Sequence, residues 1–269
     1  MKKIIFLILI ISSTCRLTAD TITVDTLSAV SELAVPESAM VSKADGDSAY
    51  IRNDYASAIE IYESLLKEKG ESADIYYNLG NSYYKADNIA KAILNYERAL
   101  LLRPNDKDIR FNLELAYDKT VDKMDPVNEV FFVTWFRSIG NLMAVNGWAT
   151  TSIITFLLML VALVIYIFAN RILYKKIGFY SFALLLIIVI ATNIFASHQK
   201  DSLINRSNAI VISPSVTVKS TPNENGTDLF ILHEGHKVFI KDNSMREWKE
   251  IELQDGNVGW VPVEVIEVI

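Results

Sequence analysis

A single cysteine, Cys15, and only three histidines, His198, His233 and His236, occur among the 269 residues. One thiol excludes an intrachain disulfide framework, and Cys15 lies in a segment expected to be removed, so it supplies no nucleophile. His233 and His236 flank Glu234 in a Leu-His-Glu-Gly-His run with no further ligand cluster nearby, which reads as a solvated turn and not as a zinc site. Neither a Gly-x-Ser-x-Gly elbow nor a Gly-x-x-x-x-Gly-Lys phosphate loop is present. No catalytic residue, metal or cofactor is therefore expected, and the chain does not read as an enzyme. Positive charge is also in deficit: 26 Lys and Arg stand against 32 Asp and Glu, a net charge of −6. An acidic surface repels phosphate backbones, so nucleic acid is not an expected partner.

Two stretches lack charge altogether, residues 148–169 and 177–196. Each has the ~20 residues that cross a hydrocarbon core, and neither has a polar face, so both are expected to be transmembrane helices. The loop between them, 170–176, carries Arg171, Lys175 and Lys176. Basic residues in short loops stay in the cytoplasm, which puts both flanking regions outside. Residues 1–19 have Lys2 and Lys3, an apolar run from Ile4 to Ile11 and then small and polar residues, the layout of a signal peptide cleaved after Ala19. Cys15 leaves a lipid-modified N-terminus open as a second reading. A linker, 20–41, follows. Charge agrees with this partition: net −9 over 20–129, −5 over 207–269 and +3 in the loop.

Residues 126–147 precede the first apolar stretch, and Val130, Phe131, Phe132, Trp135, Phe136, Ile139 and Leu142 give them an apolar face. Two readings stay open: an amphipathic juxtamembrane helix in the outer headgroup layer, with Trp135 and Trp148 at the interface, or a helix that packs on the preceding helical array.

That array occupies 42–120. From Ala73 to Asp106, Tyr76, Leu79, Gly80, Tyr83, Ala92, Tyr96, Ala99 and Pro104 fall where a helix-turn-helix unit needs them. Gly80 and Ala92 leave room where helices Asp74–Lys85 and Ile89–Leu102 cross, and Pro104 stops the second. This spacing resembles a tetratricopeptide (TPR) repeat, carried also by Tyr77-Asn78-Leu79-Gly80-Asn81 and Tyr83-Tyr84. Such a unit cannot bury its apolar face alone. One period earlier, Ala58, Tyr62 and Leu65 match Ala92, Tyr96 and Ala99, but Asp45 and Gly46 stand at the places of Leu79 and Gly80, so a poor helix is expected over Ser42–Arg52. One period later, Arg110 to Tyr117 make a single capping helix. Asn53-Asp54 and Asp87-Asn88 sit where a left-handed turn residue is needed. Tyr77, Asn81 and Tyr84 share one helix face, and the register continues to Phe111 and Leu115. These five are the candidate protein-binding residues, lining a concave groove for an extended peptide or a partner helix.

From 207 to 269 the pattern changes to short alternating runs: Ala209–Ile212, Val216–Lys219, Phe230–Leu232, Val238–Lys241, Trp248–Leu253 and Gly259–Val261, split by turns at Thr221–Gly226 and Asp255-Gly256. These predict a small all-β antiparallel barrel. Val216–Pro222, Leu232–Val238, Trp248–Ile251 and Gly259–Pro262 resemble a bacterial SH3-like domain. Trp260 reads as a core or lid residue before it reads as a ligand contact, and Trp248 is equally ambiguous. If exposed, the two form a shelf for an extended peptide or glycan; if buried, they hold the barrel.

The whole is a multidomain membrane protein: all-α TPR repeats, a two-helix transmembrane hairpin and a small SH3-like barrel. Its domain order resembles the E component of the Bacteroides aerotolerance (Bat) operon. The resemblance implies a non-enzymatic subunit of an inner-membrane complex for aerotolerance or envelope stress, with its soluble domains in the periplasm. Implied partners are von Willebrand factor A domain membrane proteins of the same operon and a MoxR-type ATPase. The alternative is a cell-wall anchor in which the SH3-like domain grips peptidoglycan.

Overall fold

A computed structural model describes residues 41–122 and 131–269; the expected signal peptide, most of the linker and residues 123–130 lie outside the described residues. Four of the five helices in the first region start beside a polar side chain that accepts a backbone N–H. Asp45 accepts from the backbone N–H of Ser42 at 2.8 Å ahead of α1 (Lys43–Ile51), and Asp54 accepts from Ser57 N at 3.2 Å to open α2 (Tyr55–Lys69). After α3 (Ala73–Lys85), Asn88 accepts from Lys91 N at 3.1 Å to open α4 (Ile89–Leu102), and Asp106 accepts from Asp108 N and Ile109 N to open α5 (Lys107–Tyr117). Asn53 and Asp87 both adopt φ 61°, turning each helix pair without a glycine.

The helix expected to be poor, α1, is fully formed, and its glycine explains why. A Cβ on Gly46 would stand 2.6 Å from the Tyr62 ring, just as one on Gly80 would stand 2.7 Å from the Tyr96 ring. Gly46 and Tyr62 thus repeat the Gly80 and Tyr96 crossing one period earlier, and the residue in the leucine position, Asp45, is spent on the cap. Tyr62, Tyr96, Leu65, Ile93, Leu94 and Ile109 are fully buried between the helices.

Beyond α5, the described residues resume with α6 (Phe131–Gly140), inside the expected 126–147 helix, whose first five residues lie outside the described residues. Two apolar helices follow, α7 (Val145–Phe168) and α8 (Ile172–Ile204), packed antiparallel with Asn193 Nδ2 donating to Ser152 Oγ at 2.7 Å. Both are long and apolar enough to cross a membrane. Their side chains are largely exposed, with Leu157 at 56% and Ile187 at 65%. The expected seven-residue loop is shorter: only 169–171 separate the helices, and Lys175 and Lys176 belong to the first turns of α8. At its other end α8 continues through the polar run 197–204, because hydropathy marks where a helix is apolar and not where it stops.

The remaining residues form one antiparallel sheet: β1 (Asn208–Val211), β2 (Ser215–Lys219), β3 (Asp228–His233), β4 (Lys237–Asp242), β5 (Trp248–Glu252), β6 (Val258–Pro262) and β7 (Ile266–Val268), in the order β3-β2-β6-β5-β4-β1-β7. The strand β7 was not predicted; it pairs Val268 with Ala209 and Ile266 with Val211. Leu232 of β3 and Ile266 of β7, at opposite edges, belong to one buried cluster with Val218, Val238, Ile251 and Val261, so the sheet curls around a core. Strand β1 is buried on both faces: Ala209 and Val211 enter that core, while Ile210 enters the helical core together with Ile269.

Candidate functional site

Where α1, α3 and α5 lie side by side they leave a cleft of about 340 Å³, lined by Tyr50, Tyr77, Asn81, Tyr84, Lys85, Tyr96, Asn112 and Leu115. Four of the five candidate residues therefore meet in one place. Phe111, one turn from Leu115 on α5, is 60% exposed beside the cleft and does not line it.

A polar ladder stiffens the cleft floor. Tyr96 Oη donates to Asn81 Oδ1 at 2.8 Å, and Asn112 Nδ2 donates to the same oxygen at 3.0 Å and to Tyr77 Oη at 2.9 Å. One period earlier Tyr62 Oη and Asn78 Nδ2 converge in the same way on Asp47 Oδ1, at 2.7 and 2.9 Å. Burial pushes the Tyr96 phenol well above its ordinary value, so it stays a neutral donor. The Asn81 oxygen is thus occupied, while its amide nitrogen makes no hydrogen bond among the described residues. At the rim, Lys119 Nζ lies 4.2 Å from the centre of the Tyr84 ring. The cleft offers aromatic area, one amide and a cationic edge, which suits an extended peptide or a helix. Tyr50 and Asn112 escaped the sequence reading, although one period relates Tyr50 to Tyr84 and Asn112 to Asn78.

On the sheet, Trp248 faces Pro262 and Trp260 faces Glu250 across β5 and β6. Their neighbours Ile251, Gly259 and Val261 are buried, so by alternation both tryptophans lie on the outward face, partly exposed. Trp260 is accordingly not a core residue. The strand Val258–Pro262 is buried on its odd positions because Gly259 allows Val218 and Lys219 to approach.

The sheet packs on α4, away from the cleft. Lys237 Nζ donates to Glu97 Oε2 at 2.7 Å, Tyr117 Oη donates to Glu97 Oε1 at 2.8 Å, and Arg98 Nη2 donates to Glu267 Oε1 at 3.0 Å. The histidine turn is only partly solvated: Glu234 is exposed, while both histidines face Asp122. Asp122 accepts from the backbone N–H of His233 at 2.7 Å and pairs with its Nδ1 at 2.8 Å, and His236 Nδ1 lies 3.7 Å away.

This interface should loosen in acid. Burial holds His236 below the ordinary imidazole value, against the pull of Asp122 and Asp255. A ring that is neutral when folded and charged when unfolded loses stability as pH drops through ~6.5. Burial pushes Asp122 up, but the His233 backbone and ring hydrogen bonds outweigh it and hold the carboxyl low. The Arg206 guanidinium likewise holds Glu71 low. Lowered carboxyls contribute stability above their unfolded values and lose it as pH falls through the folded ones, below ~4. Protection of the Ile93 to Arg98 amides against hydrogen exchange, relative to the intrinsic rate at each pH, should therefore fall in two acid steps, and His236→Phe should remove the first. Equal protection at pH 7.5 and pH 5.5 would contradict this.

Compared with known families, residues 73–106 match the tetratricopeptide repeat model. No curated protein matches the chain. The block folded around Gly80 is thus similar to a tetratricopeptide repeat, a non-catalytic protein-interaction motif, and the likeness suggests that this chain works by binding other proteins.

Proposed function

We propose that the chain is a non-enzymatic, membrane-anchored scaffold that holds a partner protein in the Tyr77, Asn81 and Tyr84 cleft. The observation that carries this reading is the cleft itself: aromatic, stiffened by its own hydrogen bonds and uncovered by the curled sheet. Two mostly exposed apolar helices support anchoring, since water would not tolerate so much apolar surface. Their outer ends, next to α6 and β1, both carry the soluble regions, which supports one shared side for the repeats and the sheet. The basic cluster of Arg171, Lys175 and Lys176 at the opposite end supports the bacterial periplasm as that side. On this reading 42–120 is the binding module, α7 and α8 span the inner membrane, and 207–269 is an SH3-like domain. The resemblance in domain order to the Bat operon E component favours von Willebrand factor A domain membrane proteins as partners, in aerotolerance or envelope stress.

The test is a pull-down from detergent-solubilised membranes with the full chain. Tyr77→Ala combined with Tyr84→Ala should weaken capture of the partner about 30-fold or more, as loss of central aromatic anchors does. Loss of every partner only on deletion of α7 and α8, with the cleft substitutions silent, would contradict the role of the cleft.

The outward pair Trp248 and Trp260 favours a second reading, a cell-wall anchor that uses the sheet as an aromatic shelf. Sedimentation with purified cell wall that is abolished by Trp260→Ala and indifferent to the cleft substitutions would favour it.

A further inference from the structure

Neither the cleft nor the sheet accounts for α6. Its ten residues contain Arg137 and no acidic residue, and Phe131, Phe132 and Trp135 are exposed by 82%, 67% and 58%. We propose that α6 is an interfacial anchor, lying in the lipid headgroup layer with these three aromatics inserted among the upper acyl chains. The proposal rests on the reading of α7 and α8 as membrane spans.

The position of α6 carries the inference. Its last residue is tied to both apolar helices at one level: the carbonyl of Gly140 accepts from Trp148 Nε1 at 2.8 Å and from Gln199 Nε2 at 2.7 Å. Phe136 stacks on Phe195 with ring centres 4.8 Å apart, and Phe195 stacks in turn on Trp148 at 4.9 Å. At that level α8 changes character. The run 177–196 has no charged residue, and the next turns read Ser197-His-Gln-Lys-Asp-Ser202. In a bilayer this change marks the boundary between hydrocarbon and headgroups, so α6 is pinned where an amphipathic helix partitions. Among the described residues Phe136 and Gly140 are held by α7 and α8, which favours the headgroup-layer reading over packing on the repeats. The apolar surface of α6 is continuous through Phe136 and Phe195 with that of the spans, and lipid covers both. Tryptophan and phenylalanine suit this layer because their rings tolerate a half-wet boundary.

The consequence is geometric. With ~1.5 Å of rise per residue, the polar end of α8 from Ser197 to Ile204 makes a stalk of about 12 Å. Arg206, just beyond it, pairs with Glu71 of the repeats. A stalk set at a fixed depth by α6 holds the cleft at a fixed height and tilt over the lipid.

Site-directed spin labelling of the full chain tests this in vesicles of phosphatidylethanolamine and phosphatidylglycerol. Labels are placed in a Cys15→Ser background at Phe132→Cys on α6, Leu158→Cys on α7 and Glu68→Cys on α2. All three positions are exposed, so the packing of Phe136 is untouched. Power saturation then compares collision with oxygen, which enters lipid, and with a nickel chelate, which stays in water. The expected result is an oxygen-to-nickel ratio at position 132 several-fold above that at 68 and below that at 158, for a depth of ~5–10 Å. A lipid-immersed label at 158 with a fully aqueous one at 132 overturns the anchor and leaves the spans standing. A label at 132 shielded from both reagents means that protein covers α6, such as a second copy, and also overturns it. An aqueous label at 158 sinks the span reading, and the anchor with it.

Discussion

Gly80→Val will destabilise the helical array by about 3 kcal/mol, at the upper end of what overpacking a well-filled core costs. The added Cβ would stand 2.7 Å from Tyr96 Cδ1 and Cε1 and 3.3 Å from the carbonyl oxygen of Ala92. Neither neighbour can yield. The Tyr96 ring is 1% exposed and its hydroxyl is bonded to Asn81, so moving the ring dismantles the cleft floor; the Ala92 oxygen belongs to helix backbone. For a region of this size the loss corresponds to a fall in Tm on the order of 15 °C. Helical melting of the full chain in detergent checks this, and a Tm for Gly80→Val equal to that of the unsubstituted chain would contradict this crossing.

Gly235→Val will part the sheet from the repeats. Gly235 turns between β3 and β4 at φ +84°, and a Cβ there would meet Thr120 Cγ2 at 2.7 Å and Ile93 Cδ1 at 3.0 Å. Strain at the turn and a clash across the interface act together. Gly256→Val separates them, because Gly256 has nearly the same positive φ, +86°, and nothing within 4 Å. The extra cost at Gly235 should be about 2 kcal/mol. It should appear as faster hydrogen exchange around Glu97 and Lys237, which now form an ion pair, with the sheet core around Ile251 and Val261 unchanged. Indistinguishable exchange in the two variants would mean that the sheet does not seat on α4 as described.

What could be read from the sequence was whatever is written at a fixed period. Gly80 against Tyr96, the turn residues Asn53 and Asp87, and the shared face of Tyr77, Asn81 and Tyr84 all follow from local spacing. The ladder was present in the same period and passed unread: Asp47 with Asn81, Asn78 with Asn112, and the pairs Tyr83 to Glu63 and Tyr117 to Glu97. Polar side chains carry no hydropathy signal, so only a comparison of repeats reveals them. The first repeat was obscured because Asp45 serves a cap where the next repeat uses Leu79. Contacts between distant segments were illegible for a different reason. Ile210 looks like any strand residue, and nothing local tells that its face meets α4 while Ala209 and Val211 turn inward. The same limit applies to Trp260, whose direction depends on which alternate residues of β6 the curl of the sheet covers.

Photocrosslinking in native membranes tests most directly whether a partner occupies the cleft, as proposed. A benzophenone amino acid in place of Tyr84 should give one discrete adduct, lost on adding Tyr77→Ala, while the same group at Glu68 on the exposed side of α2 gives none. No adduct from position 84, together with a discrete one from position 260 on the sheet, would contradict the account.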